Sequence, residues 1–178
     1  FVTWCVKQIV QRRKKLDVVF FDKKWIEKSQ NQRLNIFAYK NNKIFRRKDI
    51  KAEMFRRFNN PISNVGIFSL TGRLIRRSIL TKHKIFFHKK LRYLEDETFS
   101  WSMLSVIKSI KYLKEQLYHY KVNPNVNSAL SNGLIKGYPI SNFKIAQTII
   151  RNSLKKIGFS KTDVIHLGNQ AFIFFIIS

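Results

Sequence analysis

The residues best placed to do chemistry are Tyr93-Leu94-Glu95-Asp96-Glu97-Thr98-Phe99, because acid is scarce in this chain and three of its ten carboxylates adjoin here. Asp17, Asp22, Glu27, Asp49, Glu53, Glu115 and Asp163 have no acidic neighbour. Among 35 Lys and Arg, a triplet of acids is a poor solubility device. Phe99, Met103, Val106, Ile107 and Ile110 follow at spacings of three and four, the mark of one helix face. The acids therefore stand at the mouth of a helix, where its positive dipole end favours ionised carboxylates. Two roles are open to them: a capped helix start with Asp96 as N-cap, or proton transfer by adjacent carboxylates at a helix mouth. The histidines are weaker candidates. His83 and His88 lie five apart without carboxylate or Cys company, and His119 stands alone, so none has metal-site spacing.

The elements that would position this stretch can be read along the chain. Val2, Cys5, Val6 and Ile9 form a helical stripe that ends in the basic run Gln11-Arg12-Arg13-Lys14-Lys15. Leu16 to Phe21 is a β-branched and aromatic run, a buried strand by pattern, and 22–33 is polar and loop-like. Leu34–Tyr39 and Ile44-Phe45 flank Lys40-Asn41-Asn42-Lys43 as a hairpin would. Ile50, Met54 and Phe58 give the segment 48–58 one apolar helical stripe, ended by Asn59-Asn60-Pro61. The segment 65–75 reads as extended. The stretch 111–120 is ambiguous, because Tyr118-His119-Tyr120 alternates as a strand does. Ser141 to Ile157 is an amphipathic helix on Phe143, Ala146, Ile149, Ile150 and Leu154, with Ser141 as N-cap and Gly158 as C-cap. Ala171–Ile177 reads as a buried strand or as a cut end.

Several of these segments, taken in order, resemble a known family. Gly72-Arg73-Leu74-Ile75-Arg76-Arg77-Ser78-Ile79-Leu80 is followed by Lys84-Ile85-Phe86-Phe87-His88, the acidic stretch 93–99, Leu117-Tyr118-His119-Tyr120-Lys121 and Asn127-Ser128. This series resembles the carboxy-terminal half of bacterial family 2 glycosyltransferases of GT-A fold, of the kind that builds capsule, lipopolysaccharide and other surface glycans. The resemblance covers about Leu16 to Ser128. Arg73-Leu74-Ile75 departs from the family's lysine-leucine-tyrosine, and Lys121 stands where arginine is commoner. The sequence contains no Asp-x-Asp, the family's metal motif.

The resemblance implies an α/β fold, a mixed sheet with flanking helices, with the amino-terminal nucleotide-binding half missing. It implies an acceptor-side portion of a catalytic domain over 1–130 and a helical extension of the same domain over 131–178. It also implies an inverting transfer of sugar from a nucleotide-sugar donor to a growing polysaccharide or lipid-linked acceptor. Asp96 would be the general base, with Glu95 the alternative. A carboxylate is ionised at neutral pH and needs no tuning for that task. Tyr118, Tyr120, Lys121 and Ser128 would meet the donor phosphates, and Arg73 and Arg76 the acceptor or its phosphate. A divalent Mg or Mn ion is expected for the intact enzyme, its ligands lying outside this chain. The fragment alone is expected to be inactive.

Composition bounds these readings without deciding among them. At 178 residues and 44% hydrophobic, with 16 Phe, the chain can bury a core. Lone Cys5 excludes an internal disulfide and suits a reducing compartment. No apolar run nears the roughly 20 residues that span a bilayer, which fits a cytoplasmic protein, if anything peripheral on the inner membrane face. The net charge of +25 calls for a polyanionic neighbour. Its basic runs, interleaved with aromatics, give a competing reading as a nucleic-acid-binding or ribosome-associated protein, and a weaker one as a membrane-surface adaptor.

Overall fold

The computed structural model describes residues 16–26, 39–59, 66–121 and 140–177. The expected stripe over 1–9, the basic run ending at Lys15, and Ser128 lie outside them. The architecture is α/β, with a mixed four-stranded sheet ordered β2-β4-β1-β3 and helices packed against it. Strands are β1 (Val18–Ile26), β2 (Ile44–Arg46), β3 (Arg73–Ile75) and β4 (Ser109–Lys121). Helices are α1 (Arg47–Asn59), α2 (Arg77–Lys82), α3 (Glu95–Leu104), α4 (Ile140–Ile157) and α5 (Lys161–Ile177), with a 3-10 turn at Gly66–Phe68.

The two central strands, β1 and β4, run parallel, and the edge strands β2 and β3 are antiparallel to their neighbours. Val18, Phe20, Ile110 and Tyr112 bury on one face with Tyr39 and Phe45. There the Phe20 ring lies 5.0 Å from Tyr112 and the Tyr39 ring 4.9 Å from Phe45. Ile50 and Met54 of α1, Met103 and Leu104 of α3, and Ile150 and Leu154 of α4 close over this face. Val19, Phe21 and Leu113 form a smaller cluster with Leu16. The β1–β4 register slips on both sides of Asp22, and such irregularities re-aim the side chains beside them.

The structure corrects several local expectations. The strand begun at Val18 runs through Asp22 and Lys23 to Ile26, where a loop was expected, because β4 supplies a hydrogen-bonded partner along its whole length. Ile44–Arg46 pairs with Ser109–Lys111, so its sheet partner is distant in sequence; residues 34–38 of the expected hairpin lie outside the described residues. Extended structure expected from Val65 begins only at Arg73, after the 3-10 turn. The helix behind the acids stops at Leu104, and Ile110 of its expected stripe belongs to β4. Ala171–Ile177 is the end of α5 and not a strand. An unbroken apolar run fits either element, and α5 is initiated far upstream, at Ser160. Ser141 lies inside α4, which begins at Ile140.

Candidate active site

Parallel strands of an α/β sheet direct ligands to their carboxyl ends. Asp22 lies at the middle of β1, and past the register slip Lys23 is registered opposite Tyr118 on the way to that end. The chain arrives at β3 through Gly72, whose φ is +74°. Its carbonyl accepts a 2.9 Å hydrogen bond from the Phe21 amide. A Cβ at Gly72 would stand 3.0 Å from the Phe21 carbonyl oxygen and 3.6 Å from Lys23 Cγ, so this close approach requires glycine. The next residue, Arg73, is thereby set beside Phe20 and near Lys23.

The acids are carried in the first turn of α3. Helix entry is made by Leu94 at φ +65°, with no side-chain cap. Asp96 is therefore the second helical residue and not the N-cap. Leu94 is anchored by packing with Phe143 and Ala146 of α4. The Thr98 hydroxyl donates to the carbonyls of Leu94 (2.9 Å) and Glu95 (3.0 Å). The three acids then part company. Glu97 accepts from Trp101 Nε1 at 3.0 Å and pairs with Arg57 at 3.7 Å, which makes it a structural tether. Trp101 itself is buried against Phe68, their rings 4.7 Å apart. Glu95 is half-buried and Asp96 exposed, and neither has a hydrogen bond or ion pair among the described residues. Asp96 is the carboxylate that Lys23 feels.

Lys23 is 8% exposed and its ammonium donates to the Ser69 hydroxyl. Burial first, and the Arg73 guanidinium second, pull the ammonium down to about 8, against an upward pull from Asp96. Burial likewise pushes Arg73 down to about 9. Its Nε and Nη1 are buried without a hydrogen-bond partner among the described residues. Asp22, 2% exposed, accepts from the Tyr112 hydroxyl at 2.8 Å, and burial followed by that bond raises the tyrosine's pKa.

Of the residues expected from sequence, Asp96 and Arg73 each lie within electrostatic reach of Lys23, with Glu95 preceding Asp96 on α3. Arg76 stands at the start of β1, its guanidinium donating to the Leu16 carbonyl and its amide to that of Asp17 at 2.9 Å. Tyr118 is half-buried against the cluster of Val19, Phe21 and Leu113. Tyr120 and Lys121 continue β4 opposite Trp25 and Ile26, and their side chains lie outside the described residues, as does Ser128. Sequence reasoning missed Lys23 and Ser69. The signal for Lys23 was a cation directly behind a strand too apolar to end in solvent. A separate cavity of about 410 Å³, lined among others by His83, Ser102, Asn152 and Lys156, shares none of these residues.

No divalent ion fits this cluster. Among the described residues no three His, Cys, Asp or Glu side chains converge, and the groups gathered around Lys23 are a second cation and a neutral hydroxyl, with one carboxylate in electrostatic reach. The Mg or Mn ion implied by the resemblance therefore enters no step below.

Neither a protein-family model nor a curated protein sequence matches the chain. Among solved structures, the 1–349 fragment of S. aureus TarS, in complex with UDP-GlcNAc, is similar at TM-score 0.61 and 13% identity. The similarity covers 97% of this chain and 45% of that one, so the chain spans less than half of the structure it matches. What the likeness establishes is a glycosyltransferase-like α/β fold.

Proposed function

We propose that this chain forms the acceptor side of an inverting glycosyltransferase site, with Asp96 as general base. The donor would be a nucleotide-sugar and the acceptor a growing surface polysaccharide or lipid-linked glycan. The observation that carries the reading is Asp96 itself: exposed, without a hydrogen bond or ion pair among the described residues, in the first turn of a helix and within electrostatic reach of Lys23 on the parallel strand β1. In the reaction the acceptor oxygen bonds to the anomeric carbon as the bond to the nucleoside diphosphate breaks. The acceptor proton passes to Asp96, and the electron pair of the broken bond leaves with the diphosphate. Tyr118, Tyr120, Lys121 and Ser128 are proposed to meet that developing charge. Residues outside this chain would bind most of the donor, so 1–178 alone is expected to hold nucleotide-sugar poorly and not to turn over.

The test is Asp96→Asn in the longest enzyme that carries this segment. Sugar transfer should fall about 10²- to 10⁴-fold, the range for a general base, while stability falls by no more than about 1 kcal/mol, the share of a first-turn carboxylate that makes no hydrogen bond or ion pair among the described residues. Glu95→Gln should cost less. Transfer that survives Asp96→Asn intact would remove Asp96 from the mechanism.

A further inference from the structure

Between α2 and α3 the segment 82–92 puts apolar rings and cations side by side in solvent. Phe86 is 69% exposed and its neighbour Phe87 52%, whereas the other exposed large hydrophobics (Ile44, Phe55, Ile140 and Ile165) stand singly in the chain. Single exposed apolar residues are ordinary, but an adjoining pair of rings marks a surface that something covers. Lys82, Lys84, Lys89, Lys90 and Arg92 flank the pair, all exposed and without an ion pair among the described residues. No Asp or Glu occurs from Met54 to Leu94, so nothing in this stretch of sequence offsets them. The exposure is built in, because the backbone is held on both sides of the rings. Ile85 and Leu91 are buried anchors, each 6% exposed. The Ile85 amide donates to the Leu80 carbonyl at 2.9 Å, that of Lys84 to Thr81 at 3.2 Å and that of Leu91 to His88 at 2.9 Å. The Phe87 ring stacks on Phe99 of α3 with centroids 4.5 Å apart, which fixes the segment to the helix that carries Asp96.

We propose that this segment docks the chain on an anionic lipid surface, with Phe86 and the open side of Phe87 entering the interface and the flanking cations resting on the headgroups. A net charge of +25 attracts any polyanion; the paired rings select one with an apolar interior. A phenyl ring offers a partner nothing to hydrogen-bond, so its gain on association is burial. Lys and Arg lay their apolar stems along a lipid surface while the charge stays at headgroup level. Apolar insertion alone is weak and charge alone is screened by salt, and the two together hold a peripheral protein. Nucleic acid would use the same cations but would take up the rings by base stacking, and Phe87 has already given one of its two faces to Phe99. The docking is peripheral, since no helix among the described residues is long and apolar enough to cross a membrane. It goes beyond the transfer reaction and does not depend on it.

The test is cosedimentation of the full chain with vesicles of equal parts phosphatidylglycerol and phosphatidylcholine, at about 0.15 M salt to screen the general surface charge. Binding is expected, and vesicles of phosphatidylcholine alone should hold little. Phe86→Ser should weaken it about tenfold. Phe86→Trp should retain it, with the added indole quenched by brominated acyl chains. Lys89→Gln with Lys90→Gln should weaken it about tenfold or more. Lys48→Gln with Lys161→Gln, at exposed positions on α1 and α5, should change it less than about twofold. Equal weakening by the two lysine pairs would reduce the binding to net charge and overturn the proposal. So would vesicle binding that Phe86→Ser leaves intact. A single-stranded oligonucleotide whose affinity falls with Phe86→Ser while vesicle binding does not would give the segment to nucleic acid instead. Each of these outcomes leaves the role of Asp96 standing, since that rests separately on the Asp96→Asn transfer assay.

Discussion

Lys23 carries a consequence for the pH dependence of stability. Unfolded, its ammonium keeps a proton to about 10.5; folded, it releases the proton near 8. Between those values the unfolded chain binds more protons, so the contribution of Lys23 to stability rises with pH. Arg73, pushed down to about 9, acts in the same direction at higher pH. Tyr39 and Tyr112, both raised by burial, act oppositely once free tyrosine ionises near 10. The clean window is therefore pH 8 to about 10. There the denaturant midpoint of the wild type should climb relative to that of Lys23→Met, and parallel curves would place the Lys23 ammonium in water. Asp96 was legible in the sequence because acid is rare and the triplet stands before a helical stripe. Lys23 was not, because one lysine among 35 Lys and Arg has no compositional contrast, and only the register slip around Asp22 aims it inward.

Among the elements, the two helices with amphipathic stripes were legible locally, while the extent of strands with partners far along the chain was not. In the stripes of α1 and α4, Ile50, Met54, Ala146, Ile150 and Leu154 are wholly covered, Ile149 is half-buried, and the Phe58 side chain lies outside the described residues. The length of β1 depends on β4, about ninety residues away by the Phe20–Tyr112 pairing, and no local pattern announces that. Helix α5 shows a signal that was present but overlooked. Ser160 and Asp163 cap it reciprocally, the Asp163 carboxylate accepting from the Ser160 amide at 3.3 Å and the Ser160 hydroxyl accepting from the Asp163 amide at 3.1 Å. Ser160→Ala should cost about 1 kcal/mol of stability, read from chemical denaturation with an unchanged slope. Gly72→Ala tests the turn that delivers Arg73. Its positive φ and the 3.0 Å approach to the Phe21 carbonyl predict a loss of about 1–3 kcal/mol. If Gly72→Ala proved neutral, the approach of β3 to β1 would be looser than this geometry.

For the whole molecule the question is what its charge of +25 is for. The nucleic-acid reading treats the basic runs as a docking face, yet on α1 several of these cations are spent inside the fold. Arg47 donates to the carbonyls of Leu104 and Ile107 at 3.3 and 3.2 Å and of Lys156 at 3.2 Å, joining the ends of α3 and α4. Those ends present unpaired carbonyls and the negative pole of each helix, which a guanidinium satisfies. Lys51 donates to the Gly158 carbonyl at 2.6 Å and lies over the Phe159 ring, and Arg57 lies over Phe68 and pairs with Glu97. The charge that reads as a surface in sequence is thus partly a set of clamps between helices. Arg47→Met should then cost about 1–3 kcal/mol, the range for hydrogen bonds to a charged group, while changing the affinity for a single-stranded oligonucleotide less than about twofold. A docking face demands the reverse: stability kept, oligonucleotide affinity lowered, and a shallower fall of that affinity with salt because one phosphate contact has gone. Measuring both quantities on the one variant decides whether α1 holds this fold together or presents it to a polyanion.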